Sequence, residues 1–325
     1  MSPPLLSVIV PMFDVEPYLA ACLESLVDQK LGDIEIVVVD DGSTDASRVI
    51  AERFGRQDPR VHVVEQANAG LSAARNTGVR AASGRYLAFC DSDDVVPATA
   101  YASLVGTLEA TGSDLAAGDV RRFDSTGERP FPWYGDTFAR HLRRTHIRRR
   151  PALVRDRMVW NKVFRRSFWD AKNLAFTLPV FEDAPVTIRA HIEASAVDVL
   201  PDVVYMWRIR EGGVPSITQR KYEPDKFVAR MHMVLDTFEI ISTLAAELVV
   251  PYADDMCRGD IPDALRALNL YDDASLSEAL LLARKFVMSV PAGVIDALPA
   301  TDRRLVMCLS QGETSKLRQL VEESA

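Results

Sequence analysis

Cysteine is scarce. Cys22, Cys90, Cys257 and Cys308 are the four in 325 residues, and no two stand at C-x-x-C spacing. A disulfide framework or zinc ribbon is therefore excluded as the basis of the fold, and a reducing compartment fits. Positive charge is in deficit: 38 Lys and Arg face 46 Asp and Glu, for a formal net charge of −8. Such a chain has no overall field to attract phosphate backbones, which argues against a nucleic-acid binder. No apolar run reaches 18 residues, so no transmembrane helix is expected. The opening MSPPLLSVIVPMF lacks the basic n-region of a signal peptide. These absences point to a soluble, cytoplasmic protein and leave open a peripheral contact at the inner face of the membrane. Two nucleotide motifs are also missing. There is no GxxxxGK[ST], and PMFDVEPY stands where a GxGxxG would follow the first strand.

What is present is a core. Hydrophobic residues make up 48% of the chain and charged ones 26%, enough for one large domain or two medium ones. LSVIVPMF (6–13), DIEIVVVDDGSTD (33–45), RVHVVEQ (60–66), RYLAFCD (85–91) and DLAAGDVRRF (114–123) read as strands. Between them lie helical patterns at 15–30, 46–56, 71–83 and 97–112. Leu19, Cys22, Leu23, Leu26 and Val27 form one apolar stripe, and Ser43 or Asp45 is placed to cap the second helix. Alternating strands and helices imply an α/β fold: a mostly parallel, Rossmann-like sheet with helices on both faces. Ligands bind such sheets beyond the carboxyl ends of the strands. From 226 onward the pattern is helical. The expected organisation is a catalytic domain over 1–225, with a nucleotide half to about 125 and an acceptor half over 126–225, then a helical extension over 226–325.

Two strand ends are acidic: Asp40-Asp41, and Asp91-Ser92-Asp93-Asp94 inside LAFCDSDDVVP. Adjacent carboxylates repel, so three within four positions suggest a bound cation. Mg²⁺ and Mn²⁺ take oxygen ligands, commonly one or two carboxylates completed by phosphates and water. A metal–diphosphate site is the expectation, against the alternative of a solvated acidic turn. A sugar nucleotidyltransferase has a similar architecture, but its Gly-rich basic loop after the first strand is missing.

The set SVIVPMFDVEPYL, EIVVVDDGSTD, NAGLSAARNTGVRAASGRYLAFCDSDD, MVWNKVFRRSFW, FEDAP and YMWRIREGGVPSIT resembles the inverting family 2 glycosyltransferases with the A-type fold, over roughly residues 6–220. The resemblance implies a uracil site at the first strand end, where Pro11 and Phe13 match a Pro-x-Tyr segment. Phe keeps the ring and loses the hydroxyl, and Asp14 replaces an Asn. Asp41 matches the acid that accepts the uracil imide hydrogen. Asn68 and Gly70 would shape the covering loop, with Arg75 near the base or diphosphate. Asp91 and Asp93 match the Asp-x-Asp, implying Mn²⁺ or Mg²⁺ on Asp93 with Asp91 near the ribose or donor sugar. Asp94 would contact the sugar or support its neighbours. Asp183 matches the catalytic base and Glu182 a residue orienting acceptor or base; a helix cap is the alternative for Asp183. Trp160 is a candidate sugar platform or a core ring. Asn161 and Lys162 would structure the turn beside it, while Asn76 and Gly78 would pack the helix. Arg208, Arg210 and, despite the inserted Val214-Pro215, Ser216 match a loop that clamps the diphosphate.

Residues 140–157 hold eight arginines and no lysine. They are either a surface for an anionic acceptor or a solvated helix paired with acids. The overall layout is more weakly similar to wall teichoic acid glycosyltransferases. That implies a UDP-sugar donor and a polysaccharide or polyol-phosphate acceptor, with Arg143, Arg144, Arg148 and Arg149 on the acceptor side. The alternative from another class is a degenerate module that binds nucleotide sugar or glycan without turnover. The helical region is a candidate for homo-oligomer formation or docking at a membrane complex. The ending on EESA shows no closing feature, which leaves room for a longer protein.

Overall fold

The computed structural model describes residues 3–323; the Ser-Ala that closes the EESA ending lies outside them. Strand β1 (Leu6–Met12) is buried at all seven positions, as a central strand covered on both faces must be. It pairs in parallel with β2 (Ile34–Asp40) on one side and β4 (Tyr86–Phe89) on the other. β2 in turn pairs in parallel with β3 (Val61–Glu65). The crossovers are α1 (Glu16–Val27), α2 (Ser47–Gln57) and α3 (Leu71–Ala81). α1 buries the expected Leu19, Cys22, Leu23 and Leu26. α2 begins where Asp45 Oδ1 accepts from Ser47 N at 2.9 Å.

After α4 (Ala100–Thr111) come β5 (Leu115–Asp124) and its hairpin partner β6 (Gly127–Pro130), then β7 (Leu142–Thr145), β8 (Lys162–Arg165), α5 (Arg166–Ala171), α6 (Asp183–Glu193) and β9 (Val197–Arg208). The sheet order is β3-β2-β1-β4-β8-β5-β9-β7, with β6 beside β5. β8 is antiparallel to both β4 and β5, and β9 is parallel to β5. The carboxyl ends of β1, β2, β4, β5 and β9 therefore share one edge of the sheet.

Pro11 fits inside a central strand because of register. The β1–β4 ladder ends at Ile9 opposite Phe89, while β1–β2 runs on to Met12. Met12 O already receives Asp41 N, so Pro11 faces the side where β4 has stopped and its missing N–H is not needed.

The arginine-rich stretch is not a helix. It forms edge strand β7 against β9, a turn at 146–150 and a 3-10 turn over Pro151–Arg155. Its apolar residues Leu142, Ile147, Leu153 and Val154 lack the three-four spacing that would give a helix a buried face.

The chain divides after Glu211 into two compact units. The second is all-helical in its regular elements, from α7 (Pro224–Leu244) through α8 (Val249–Arg258), α9 (Asp260–Leu265), α10 (Asp273–Ser289), α11 (Ala292–Ala297), α12 (Ala300–Gln311) and α13 (Thr314–Glu323). Its core includes Phe227, Met231, Val234, Tyr252, Phe286 and Val306. Buried Arg230 pairs with Asp260 and Asp263. No helix among the described residues is long and apolar enough to cross a membrane.

Close backbone approach explains one glycine ahead of β4. A Cβ on Gly84 would lie 2.6 Å from Ser7 N and 2.8 Å from Leu6 C, so backbone must move to admit it. Gly84→Ala is expected to cost about 1–3 kcal/mol, read as a lower urea midpoint with unchanged slope.

Candidate active site

The site grows from the end of β4. Cys90 N donates to Ile9 O, and the chain then turns through Asp91, Ser92, Asp93 and Asp94. Asp94 is 1% exposed. It accepts from Tyr205 Oη at 2.8 Å and from Arg208 N at 2.6 Å, while Tyr205 Oη itself receives Asp91 N at 3.0 Å. Burial first, then the charges of Asp93 and Asp91, push the Asp94 carboxyl well above its usual range. Asp94 is thus the buried tie between β4 and β9. Ser92 is buried as well. Asp93 stays partly open at 14%. Arg210 Nε donates to its Oδ2 at 2.7 Å and Arg208 Nε to its carbonyl at 2.6 Å. Both guanidiniums lie over the Tyr18 ring, 5.2 and 5.6 Å from its centroid.

Arg75 on α3 occupies the centre. Its side chain is 1% exposed. Nη2 meets Asp91 Oδ1 at 2.6 Å, and Nη1 meets Asp183 Oδ1 at 2.6 Å as well as Glu182 Oε1. The Phe176 ring lies 5.3 Å from the guanidinium carbon. Arg75, expected near the base or diphosphate, points inward here and binds three carboxylates from two distant segments. Desolvation, opposed by Arg75 and reinforced by Asp183 and Asp93, raises the Asp91 carboxyl to about 6. Glu182, expected to orient the acceptor or the base, is 3% exposed and acts on its surroundings through Arg75.

Asp183 is the first residue of α6, and no side chain caps that helix, so the capping alternative is not what this structure forms. Its Oδ2 accepts from Val159 N at 3.1 Å. The preceding Phe181 has φ 56°, a left-handed turn uncommon for an aromatic residue. The loop that supplies Val159 is tied by a buried polar knot. Asp156, Asn161, Lys162 and His191 are all fully buried. Asp156 Oδ1 meets Lys162 Nζ at 2.5 Å and Asn161 Nδ2 at 3.1 Å, and its Oδ2 meets His191 Nε2 at 2.9 Å. Lys162 Nζ also donates to Met158 O and Asn161 Oδ1.

At the β1 end, Phe13 is 46% exposed. Asp14 has φ 46°, a conformation Asp tolerates, and its Oδ1 accepts from Thr44 N at 2.7 Å. Asp41 is buried and holds the loop: Oδ1 accepts from Gln66 Nε2 and Ala69 N, and Oδ2 from Gly70 N at 2.8 Å. Asn68 is exposed and approaches Gly42, whose φ of 80° suits glycine. Asn76 pairs with the Phe176 backbone in both directions.

Some expected residues make other contacts. Trp160 is 5% exposed. Tyr205 stacks on it at 4.3 Å and Phe131 meets it edge-on, so it is a core ring and not an open sugar platform. Ser216 lies in the second unit, its Oγ accepting from Gln219 N. Arg144 N bonds Asp198 Oδ1 and its guanidinium bonds Thr111 O. Those groups lie at the start of β9 and the end of α4, on the edge opposite the carboxylates. Arg143 sits beside it in β7, and Arg148 and Arg149 are exposed in the following turn. None of these four is brought to the carboxylate cluster. Residues that sequence reading missed are Gln66, Tyr205, Asp156 and His191. Apart from His191, which stands eight residues after Asp183 on one helix, their letters carry no spacing signal, and the fold assembles them.

Asp91 and Asp93 offer carboxylate oxygens, the donor type Mg²⁺ and Mn²⁺ prefer. Among the described residues no three acidic, imidazole or thiol groups gather as a metal cage. A cation at this pair would need phosphate and water for its remaining ligands.

Two outcomes are expected. Arg75→Met leaves Glu182 buried without its cation and should cost about 3–5 kcal/mol in chemical denaturation. Burial holds the His191 imidazole below its ordinary 6.5, against the opposing pull of Asp156. Below pH 6.5 the unfolded chain takes up a proton the folded chain refuses, so stability falls as pH drops. The wild-type urea midpoint should decline more steeply below pH 6.5 than that of His191→Gln.

The profile described as glycosyl transferase family 2 matches residues 7–171. EpsJ of Bacillus subtilis, an uncharacterized glycosyltransferase, is 34% identical over 233 residues, 68% of this chain and 65% of its own length. The poly(ribitol-phosphate) beta-glucosyltransferase of Bacillus spizizenii is 25% identical over 246 residues, 72% of this chain and 37% of its own length. The chain thus spans less than two thirds of these curated relatives. S. aureus TarS 1–349 in complex with UDP superposes with a TM-score of 0.77 at 20% identity, covering 98% of this chain and 91% of that one. That likeness shows the fold. With the sheet order, the acidic strand ends and the profile match together, the chain belongs to glycosyl transferase family 2 and has its A-type fold.

Proposed function

We propose that this chain transfers a hexosyl or N-acetylhexosaminyl group from a UDP-sugar to a hydroxyl of a cell-envelope polysaccharide or polyol-phosphate acceptor, with inversion and with Mn²⁺ or Mg²⁺. One observation carries the reading. The Arg75 guanidinium bonds Asp91 of the Asp-x-Asp and Asp183 of the Glu-Asp motif at once. A donor-side carboxylate and a candidate base are thereby held a guanidinium's width apart, as an in-line displacement on one anomeric carbon needs. The family membership supports transfer. The nucleotide in the TarS complex and the polyol-phosphate in the name of the Bacillus spizizenii relative support the donor and acceptor classes.

In this reading Phe13 lies against the base and Asp41 accepts its imide hydrogen. Asp91 and Asp93 would hold a metal ion, whose chemistry when bound would be positive charge on the leaving diphosphate. Arg208 and Arg210, both tied to Asp93, turn to the phosphates. Asp183 takes the proton of the attacking hydroxyl, oriented by Val159 N–H and Arg75. The protein is taken to work at the cytoplasmic face of the cell envelope, where such acceptors are built.

The test is UDP release from a panel of UDP-sugars with Mn²⁺ or Mg²⁺. Release should stop with chelator. Asp183→Asn should lower it about 10²–10⁴-fold while UDP-sugar binding, by calorimetry, stays within a few fold. Full activity in Asp183→Asn would reject the base assignment. Failure of every UDP-sugar to bind would reject the donor class.

A further inference from the structure

Three residues on one face of α6 grip the loop 156–159. Asp183, Thr187 and His191 recur every four residues, so they line a single stripe. Each meets a successive part of the loop. Asp183 Oδ2 accepts from Val159 N at 3.1 Å, Thr187 Oγ donates to Arg157 O at 2.6 Å, and His191 Nε2 meets Asp156 Oδ2 at 2.9 Å. The last contact is fully buried on both sides, and Asp156 is fixed from behind by Lys162 and Asn161. His191 Nδ1 has no partner among the described residues. With Asp156 a carboxylate, the hydrogen therefore sits on Nε2 and points at Asp156.

We propose that His191 is a positioning residue for Asp183. It stands two helical turns from the carboxylate and touches no part of the Asp-x-Asp segment. Its bond to Asp156 sets where the loop lies against α6, and so where the Val159 N–H meets Asp183. A buried histidine serving stability alone would need no registry with the carboxylate two turns away. Here the same stripe carries both, with Thr187 as the middle rung. The inference rests on reading Asp183 as the base.

The experiment compares His191→Leu, His191→Gln and Thr187→Val with wild type and with Asp183→Asn. The Gln amide can still donate to Asp156, and Thr187→Val keeps shape while deleting the middle bond. The first readout needs no turnover: hydrogen exchange of a peptide spanning 156–162, with β1 as internal control. Exchange at the Val159 amide should quicken at least tenfold in His191→Leu and return to within about threefold of wild type in His191→Gln. Turnover, read as UDP release, should fall 10- to 100-fold in kcat for His191→Leu with KM for the UDP-sugar within threefold, and should recover in the Gln variant. If His191→Leu does not fold, Thr187→Val carries the test, with the same exchange change and a smaller fall in kcat. Unchanged Val159 exchange in a folded variant would overturn the proposal, and so would equal exchange gains in 156–162 and β1. If Asp183→Asn keeps full turnover, the base assignment fails. If it is inactive while His191→Leu behaves as wild type, only the positioning role fails.

Discussion

The buried guanidinium of Arg75 is the contact on which the catalytic edge depends. Three carboxylates, from the end of β4 and the start of α6, meet one buried cation. Removing charge from water is costly, and only close, multiple hydrogen bonds to an opposite charge offset that cost. Arg suits the task because its planar fork donates in several directions and stays ionised when buried. The arrangement lets the sheet bring acids from residues 91 and 183 together where Coulomb repulsion alone would drive them apart.

Around that cation the site is braced on two sides. Asp94 and Tyr205 join β4 to β9, fixing the backbone that carries Asp91 and Asp93. The Asp156–Lys162–His191 knot joins β8 to α6 and fixes the amide that touches Asp183. Each brace is a buried polar network, fully paired apart from His191 Nδ1 in the second, and paired buried networks rigidify a structure. The two braces meet at Trp160 stacked on Tyr205, which explains why that ring is covered.

Much of this was legible in the sequence. The buried strand runs, the helical stripe of α1 and the acidic strand ends follow from local periodicity. The helical character after 224 shows in apolar spacing. What could not be read was contact at a distance. Arg75 and Glu182 are separated by 107 residues, and nothing local to Arg75 distinguishes an inward guanidinium from one facing phosphate. Trp160 reads equally as platform or core until Tyr205 covers its face. The arginine run invites a helix by composition, yet its apolar residues fall out of helical phase and the segment settles as an edge strand. Asp156 has no spacing to His191 that marks them as partners, and only the packing of α6 on the preceding loop makes them a pair.

The placement of that edge strand has an electrostatic consequence. Arg144 is tied to Asp198 near the start of β9, and Arg208 ends the same strand. At about 3.3 Å per residue the two are roughly 30 Å apart. The Debye length at physiological salt is about 8 Å. Through solvent, ions thus strongly screen a charge at Arg144 from the exposed side of Asp93. A charge added or removed beside Arg144 would therefore shift the solvent-exposed carboxylates at the other end of the strand little.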